Sequence, residues 1–215
     1  MKKQMMKKRK LNANGFTLVE LIVVLVILAI LAAFLVPALL GYIDRAKESQ
    51  DMLVARAMLE SAQANLSEYY AADVGYSTDG FNGNKSILPD CKALNANGDV
   101  QAYNSEFAKK VRETSGYEPY LFIVGLGYTG TYTAPSEKHK LYTVYYAAFM
   151  NEQQSDPLFY DGQAWRKDYP TKNSNNVNAS GIRFQYYVLS NKDGWFKPDQ
   201  GASWQKLKDY AAGKR

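Results

Sequence analysis

The sequence predicts an α+β fold in which one long N-terminal helix packs on an antiparallel sheet of about four strands. Three observations lead to this prediction. Residues 21–40 form an uncharged apolar run, and the helical pattern continues beyond it to about residue 70. The second half of the chain contains short runs rich in β-branched and aromatic residues, separated by turn residues. The chain is therefore expected to consist of a leader, a long helix and a globular domain.

Residues 1–15 form a basic leader. They carry six cations and no acidic residue, whereas the rest of the chain carries 20 basic and 21 acidic side chains. The formal net charge of +5 therefore belongs to the leader, and the globular part gives no charge argument for binding nucleic acid. Because cations flank the cytoplasmic end of membrane helices, we expect the N-terminus to lie in the cytoplasm.

Residues 16–40 are predicted to form a membrane-spanning helix. The twenty residues from Leu21 to Leu40 contain no charge, and a helix of that length rises about 30 Å, the thickness of the bilayer hydrocarbon. A secretory signal peptide usually has a shorter apolar region, of about 7–15 residues. A plain signal anchor explains the length and the cations, but it does not explain a carboxylate at Glu20, because charge is costly in lipid.

The segment around Glu20 resembles the class III signal of type IV prepilins. The shared pattern is a Lys/Arg-rich leader, then the residues Gly15, Phe16, Thr17, Leu18, Val19 and Glu20, and then an apolar helix. The resemblance implies that a prepilin peptidase cuts between Gly15 and Phe16 and then N-methylates Phe16. Glu20 becomes the fifth mature residue and Pro37 the twenty-second, and both positions are characteristic of the family.

Glu20 and Pro37 are the candidate assembly residues. Cleavage creates an ammonium at Phe16, and a nearby opposite charge offsets much of the cost of a buried carboxylate. The resemblance implies that the amine paired with Glu20 belongs to a neighbouring subunit, so that Glu20 sets the stagger between helices. Pro37 removes one helix hydrogen bond and, together with Gly41, marks the expected bend.

Residues 41–70 are predicted to continue the helix as an amphipathic segment. Apolar residues recur at spacings of three and four, which places them on one stripe: Met52, Ala55, Leu59, Ala62, Leu66 and Tyr69. Charged residues occupy other positions. We expect the stripe to pack on the globular domain, residues 71–215.

Residues 71–118 are predicted to be an irregular connection that contains one short helix. Gly, Asn and Asp dominate its first half and are typical of turns. The helix is expected within 105–114, with Ser105 as its N-cap and Gly116 at its end. A last helix is expected at about 203–212, with Ser203 as its cap.

Strands are predicted in the remainder of the domain. Two apolar runs lie at 120–127 and 141–150, and Asp161-Gly162 is the signal of a two-residue hairpin turn. The run 182–189 alternates, with Arg183 and Gln185 expected on one face and four apolar residues on the other: Ile182, Phe184, Tyr186 and Val188.

Few residues of the domain form a candidate binding site. A calcium loop is matched at its offsets 1, 3, 5 and 12 by Asn95, Asn97, Asp99 and Glu106, but Val100 occupies the position that needs glycine. Residues 178–180 fit the acceptor pattern for N-glycosylation. One cysteine, Cys91, and one histidine, His139, exclude an internal disulfide and a multi-histidine metal site.

The resemblance implies a structural subunit of a type IV pilus. Its partners would be copies of itself, other pilins, prepilin peptidase, the pilus assembly platform and the membrane, which it crosses once. Nucleic acid would be bound only through the assembled filament. The precursor would lie in the cytoplasmic membrane and then reach the cell surface in a filament used for adhesion, twitching motility or DNA uptake.

Alternatives from the same and from other classes stay open. A pseudopilin of a type II secretion or competence system would share residues 1–70. A membrane-anchored surface binding domain that never polymerises is a different class. An anchored enzyme is the least favoured, because the chain has no phosphate loop, nucleophile elbow or paired cysteine motif. We therefore expect no catalytic residue and no cofactor.

Overall fold

The computed structural model describes residues 16–73, 87–88, 91–93, 100–128, 131–132, 134–153, 155–169, 181–197 and 201–214. Across these residues the α-helices are α1 (Leu18–Ala71), α2 (Glu106–Ser115), α3 (Lys138–Leu141) and α4 (Gly201–Ala211). Two short 3-10 turns occupy Pro135–Glu137 and Lys192–Gly194. The chain divides into two compact units, Met1–Lys47 and Glu48–Arg215.

Seven strands form one mixed sheet within the described residues. They are β1 (Lys92–Ala93), β2 (Val100–Gln101), β3 (Leu121–Gly127), β4 (Val144–Met150), β5 (Leu158–Tyr160), β6 (Trp165–Arg166) and β7 (Phe184–Asn191). Their order in the sheet is β1-β2-β7-β3-β4-β5-β6. All neighbours are antiparallel except β2 and β7, which are parallel.

The predicted α+β class is confirmed, although the sheet is mixed and its strand count differs slightly from the predicted four. The two strands that the sequence did not predict, β1 and β2, are two residues long and lie in the turn-rich connection. A strand of two residues is too short to display an alternating pattern, so the sequence alone does not indicate it.

In the second unit, α1 packs on one face of the sheet. The buried residues of α1 include Ala55, Ala62 and Leu66 of the predicted stripe, joined by Val54 and Met58. The other residues of the predicted stripe are partly buried at its margin: Met52, Leu59 and Tyr69. The stripe therefore faces the core as predicted, but the buried face of the helix is shifted from the centre of the stripe toward Val54 and Met58.

Polar side chains of α1 also bind the domain. The Gln63 side-chain amide donates to Tyr142 O (3.0 Å) and accepts from Val144 N (3.0 Å), so it bonds to the backbone where β4 begins. Ser61 Oγ donates to Val111 O (2.9 Å), a backbone carbonyl of α2. Buried polar groups are costly without such partners, and these bonds therefore select one position of the helix on the domain.

Helix α2 confirms its predicted caps. Ser105 precedes it, and the Ser105 hydroxyl accepts from Ala108 N (3.1 Å). Gly116 ends the helix in the left-handed region, with φ of 75°, where glycine has no Cβ penalty. Phe107 and Val111 share the buried face, as the spacing of these residues predicts.

The opposite face of the sheet is covered by α4, whose Leu207 is buried. Both faces of β7 are consequently buried. Gln185, which the alternation places on the more polar face, is fully buried, and its amide donates to the Tyr187 hydroxyl. Ser203 lies inside α4 instead of capping it. Its hydroxyl accepts from Lys197 N (3.1 Å), which fastens the segment before the helix.

Three predicted strand boundaries also differ from the structure, and one of them is that of β7, which occupies Phe184–Asn191 instead of 182–189. Strand β4 begins at Val144 and not at 141, because the preceding residues form α3. The hairpin between β5 and β6 pairs Tyr160 with Trp165, so its loop has four residues instead of two. Asp161 Oδ1 accepts from the backbone N–H groups of Gln163 (3.0 Å) and Ala164 (2.9 Å), a side-chain turn that competes with the tighter hairpin.

Gly127 allows α3 to approach the end of β3. A Cβ at this position would lie 2.2 Å from the backbone oxygen of Lys140. We expect Gly127→Ala to lower the free energy of unfolding by about 3 kcal/mol or more, since backbone must move. Thermal unfolding of the full chain in detergent measures this. Gly201→Ala is the matched control, because a Cβ there meets nothing within 4 Å and should change stability by less than about 1 kcal/mol.

Tyr146 carries a hydroxyl with no hydrogen-bond partner among the described residues, although its side chain is fully buried against Phe184 and Tyr186. Burial raises the pKa of Tyr146 well above its usual value. We expect Tyr146→Phe to be neutral or to stabilise the chain by about 1 kcal/mol, because it removes an unsatisfied group. The same substitution at Tyr187, whose hydroxyl accepts from Gln185, should destabilise by a similar amount. A loss of stability at Tyr146 would contradict the first expectation.

Candidate processing and assembly site

The first described residues lie just outside the helix. Phe16 and Thr17 precede α1, which begins at Leu18, and Phe16 is 85% exposed. Gly15, the other residue of the predicted cleavage site, lies outside the described residues. Phe16 itself is therefore exposed and lies outside the helix.

Thr17 and Glu20 form a reciprocal capping box at the start of α1. Glu20 Oε2 accepts from Thr17 N (2.9 Å) and from the Thr17 hydroxyl (2.7 Å). Thr17 Oγ1 in turn accepts from Glu20 N (3.3 Å). The first backbone bond of the helix joins Leu21 N to Thr17 O (3.3 Å). The box satisfies donors that the helix itself leaves unpaired and fixes where the helix begins.

Sequence reasoning treated Glu20 only as a charge awaiting an amine and missed this local role. The signal was available, since Thr-x-x-Glu directly before an apolar run is the pattern of a capping box. A carboxylate near a helix N-terminus is also favoured by the helix dipole. Glu20 therefore has a partner within its own chain before any neighbouring subunit is considered.

The surface that follows Glu20 is apolar and exposed. Every residue from 18 to 40 is exposed in the first unit, and Glu20 is the only charged residue among residues 16–43. Among the described residues α1 is the one helix long and apolar enough to cross a membrane, by length and composition. Water is a poor solvent for such a surface, which needs lipid or protein around it.

Pro37, the second candidate assembly residue, lies far from the first. It is exposed and seventeen residues beyond Glu20, which corresponds to about 25 Å of helix rise. The helix continues through Pro37 and Gly41. The structure thus brings Thr17 and Glu20 together and keeps Pro37 apart from them.

The calcium candidate is only partly described. Glu106 is exposed at the first position of α2, while Asn95, Asn97 and Asp99 lie outside the described residues. In the described part of the chain, no group of three or more His, Cys, Asp or Glu side chains could hold a metal ion. The acceptor pattern at 178–180 also lies outside the described residues.

The comparison with protein families supports the N-terminal assignment. Residues 10–36 match the family model of the prokaryotic N-terminal methylation motif. The match contains Gly15, Phe16 and Glu20 together with most of the apolar run. The chain thus carries the N-terminal methylation motif of a class III signal, which supports the resemblance to type IV pilin-like proteins. No curated protein and no solved structure matches the chain significantly.

Proposed function

We propose that the chain is a structural subunit of a type IV pilus that polymerises through its N-terminal helix. It would be cut between Gly15 and Phe16, methylated on Phe16 and held in the membrane by residues 16–40. The observation that carries this proposal is the coincidence of two features in one segment. The methylation motif at 10–36 overlaps a helix whose apolar side chains are exposed along residues 18–40.

An exposed apolar helix of this length must be covered by apolar surroundings both before and after assembly. Lipid covers it while the subunit is in the membrane, and equivalent helices of neighbouring subunits would cover it in a filament. The transfer costs little for the apolar side chains, since both surroundings lack water. The carboxylate of Glu20 is the exception, because a buried charge requires a partner.

The proposed partner of Glu20 in the filament is the methylated amine of a neighbouring Phe16. Pairing of opposite charges stabilises one axial stagger between adjacent helices relative to the others. Setting such a register is the best-attested use of a buried ion pair. Helices with an unpaired carboxylate would be less stable in the core, so the pair favours a regular assembly.

The globular unit would form the outer surface of the filament and set its use in adhesion, twitching motility or DNA uptake. Prepilin peptidase and the pilus assembly platform would act on the precursor in the cytoplasmic membrane, and the filament would then stand at the cell surface. A pseudopilin of a secretion or competence system has the same N-terminal chemistry, and it differs in filament length and partners.

Mass spectrometry and electron microscopy of cells that overproduce the chain test the proposal together. We expect a mature protein that begins at methylated Phe16 and long surface fibres that contain it. Stubby fibres that depend on a secretion system would instead identify a pseudopilin. A chain that keeps residues 1–15 and forms no fibres would contradict both and favour a tethered surface domain.

A further inference from the structure

The charged residues beyond the leader are unevenly distributed. Residues 192–215 carry six basic and three acidic residues, whereas residues 16–191 carry 14 basic and 18 acidic ones. Five of the six basic residues are exposed lysines within the described part of the chain: Lys192, Lys197, Lys206, Lys208 and Lys214. We call these lysines the α4 surface, together with three rings beside α4: Tyr169, Trp195 and Tyr210.

The positive charge of the α4 surface is not neutralised within the described residues. None of its five lysines forms an ion pair there. The two acidic residues nearby are held by uncharged groups instead. Asp193 bonds to the Tyr120 hydroxyl, and Asp209 Oδ1 accepts from the Gln205 side-chain amide (2.9 Å). The ammonium groups are therefore available to an anion from outside the chain.

Aromatic rings hold two of these ammonium groups in place. Lys206 Nζ lies 5.0 Å from the ring centroid of Trp195 and 5.6 Å from that of Tyr210. Lys208 Nζ lies 4.9 Å from the ring centroid of Tyr169. The face of a ring attracts a cation but carries no net charge, so it orders the ammonium without cancelling its charge. An ordered side chain loses less entropy when a ligand binds.

The position of α4 in the second unit leaves this surface open to solvent. Helix α4 packs on the face of the sheet opposite to the face that α1 covers. In a filament built on α1, the α4 surface would therefore face outward, and this placement rests on the proposed function. Each subunit would repeat the same cations along the fibre, which favours a ligand that also repeats its charge.

We propose that the α4 surface binds an acidic polysaccharide through the carboxylates of its sugar units. Lysine is a compact point charge with three donors on a flexible stem, which suits single carboxylates spaced along a chain. Lys206 and Lys208 are the central contacts, because their ammonium groups are already positioned by rings.

Nucleic acid fits this surface less well. Single strands stack their bases on open aromatic faces. Here Trp195 packs against Tyr120, Phe196 and Tyr210 and lies under a lysine, so its ring is already occupied. Arginine, which binds phosphate through two parallel hydrogen bonds, is absent from the described residues beyond Asn191.

A lipid surface also fits less well. Insertion into the interface of a bilayer requires exposed apolar side chains beside the cations. Among the described residues beyond Asn191, no large apolar side chain is exposed. The α4 surface is therefore suited to a soluble polyanion and not to a membrane.

Binding of polygalacturonate to the mature chain, which lacks the basic leader, tests the proposal without filaments. The chain is held in nanodiscs of uncharged phosphatidylcholine. We expect saturable binding that weakens as salt is raised, and no binding of dextran, an uncharged polysaccharide. Lys206→Gln with Lys208→Gln should bind about fivefold more weakly, as expected for loss of two surface ion pairs. Lys206→Arg with Lys208→Arg keeps both charges and should bind as the natural chain does.

Lys109→Gln with Lys110→Gln is the matched control, because it removes the same charge from α2, which packs in the core cluster of α1. It should keep the natural affinity. An equal loss in this control would show diffuse attraction and overturn the proposal, as would no binding or equal binding of dextran. Tighter binding of single-stranded DNA than of polygalacturonate would overturn the choice of ligand.

The proposal and the proposed function fail in different ways. The binding measurements use single chains, so their failure would overturn this inference while filaments form normally. Absence of filaments from the natural chain would overturn the proposed function and the outward placement of α4 in a fibre, but not the binding of polygalacturonate to the α4 surface.

Discussion

Replacement of Gly15 by leucine is expected to leave a precursor that keeps its leader and forms no filaments. The peptidase must bring its catalytic groups close to the backbone at the cut, and a residue without a side chain allows that approach. Mass spectrometry of the membrane fraction measures the change as retention of residues 1–15. Filament formation should be lost together with cleavage, because no free amine is made at Phe16.

Ala13→Leu is the matched control for this experiment, since it adds a similar side chain two residues away and keeps the glycine. It should be cut normally. A mature chain beginning at Phe16 in Gly15→Leu would show that cleavage does not require glycine at this position and would contradict the prediction.

Glu20→Ala is expected to be cut normally but to yield at least about tenfold fewer filaments, since removal of one partner from a buried ion pair is strongly unfavourable. The yield is measured as sheared filaments per mature subunit, with the N-terminal mass as the check on processing. This substitution removes two things at once, the charge and the acceptor of the capping box.

Glu20→Gln separates the two losses. Its side-chain oxygen can still accept from Thr17, but the group carries no charge. If pairing with the neighbouring amine drives assembly, this variant should be almost as defective as Glu20→Ala. Normal filaments from Glu20→Gln would mean that capping suffices and that the charge pair is unnecessary.

Local signals in the sequence predicted the three longer helices, α1, α2 and α4, but not the short α3. The three-and-four spacing predicted the buried face of α1, and Ser105 and Gly116 marked the ends of α2, because both features depend on residues close in the chain. The parallel pairing of β2 with β7 joins residues about ninety positions apart, and nothing in a two-residue segment indicates its partner.

Burial of both faces of β7 was harder to predict for a related reason. Gln185 lies on the face that the alternation predicted to be polar, yet it is fully buried beside Tyr187, which packs in the same core cluster as α1. Ser203 similarly looks like a cap, yet it bonds the segment before the helix. In both cases a distant element overrides the local preference.

The candidate processing site came from the N-terminal motif, and the family comparison supports that motif. The capping box could also have been predicted from Thr17 and Glu20. The cost of a charge in lipid instead led to the prediction of a partner outside the chain. The outer surface of the domain gave no comparable signal, since exposed side chains are not constrained by packing.

The bonds between α1 and the domain have a mechanical consequence. Asp51, Ser61 and Gln63 each bond to a different segment: Asp51 to Asn151 after β4, Ser61 to α2, and Gln63 to the backbone before β4. A force along the axis of α1 would load these three attachments in parallel and not in series. Tension in a fibre built on this helix would thus be shared, and rupture would require several attachments to yield together.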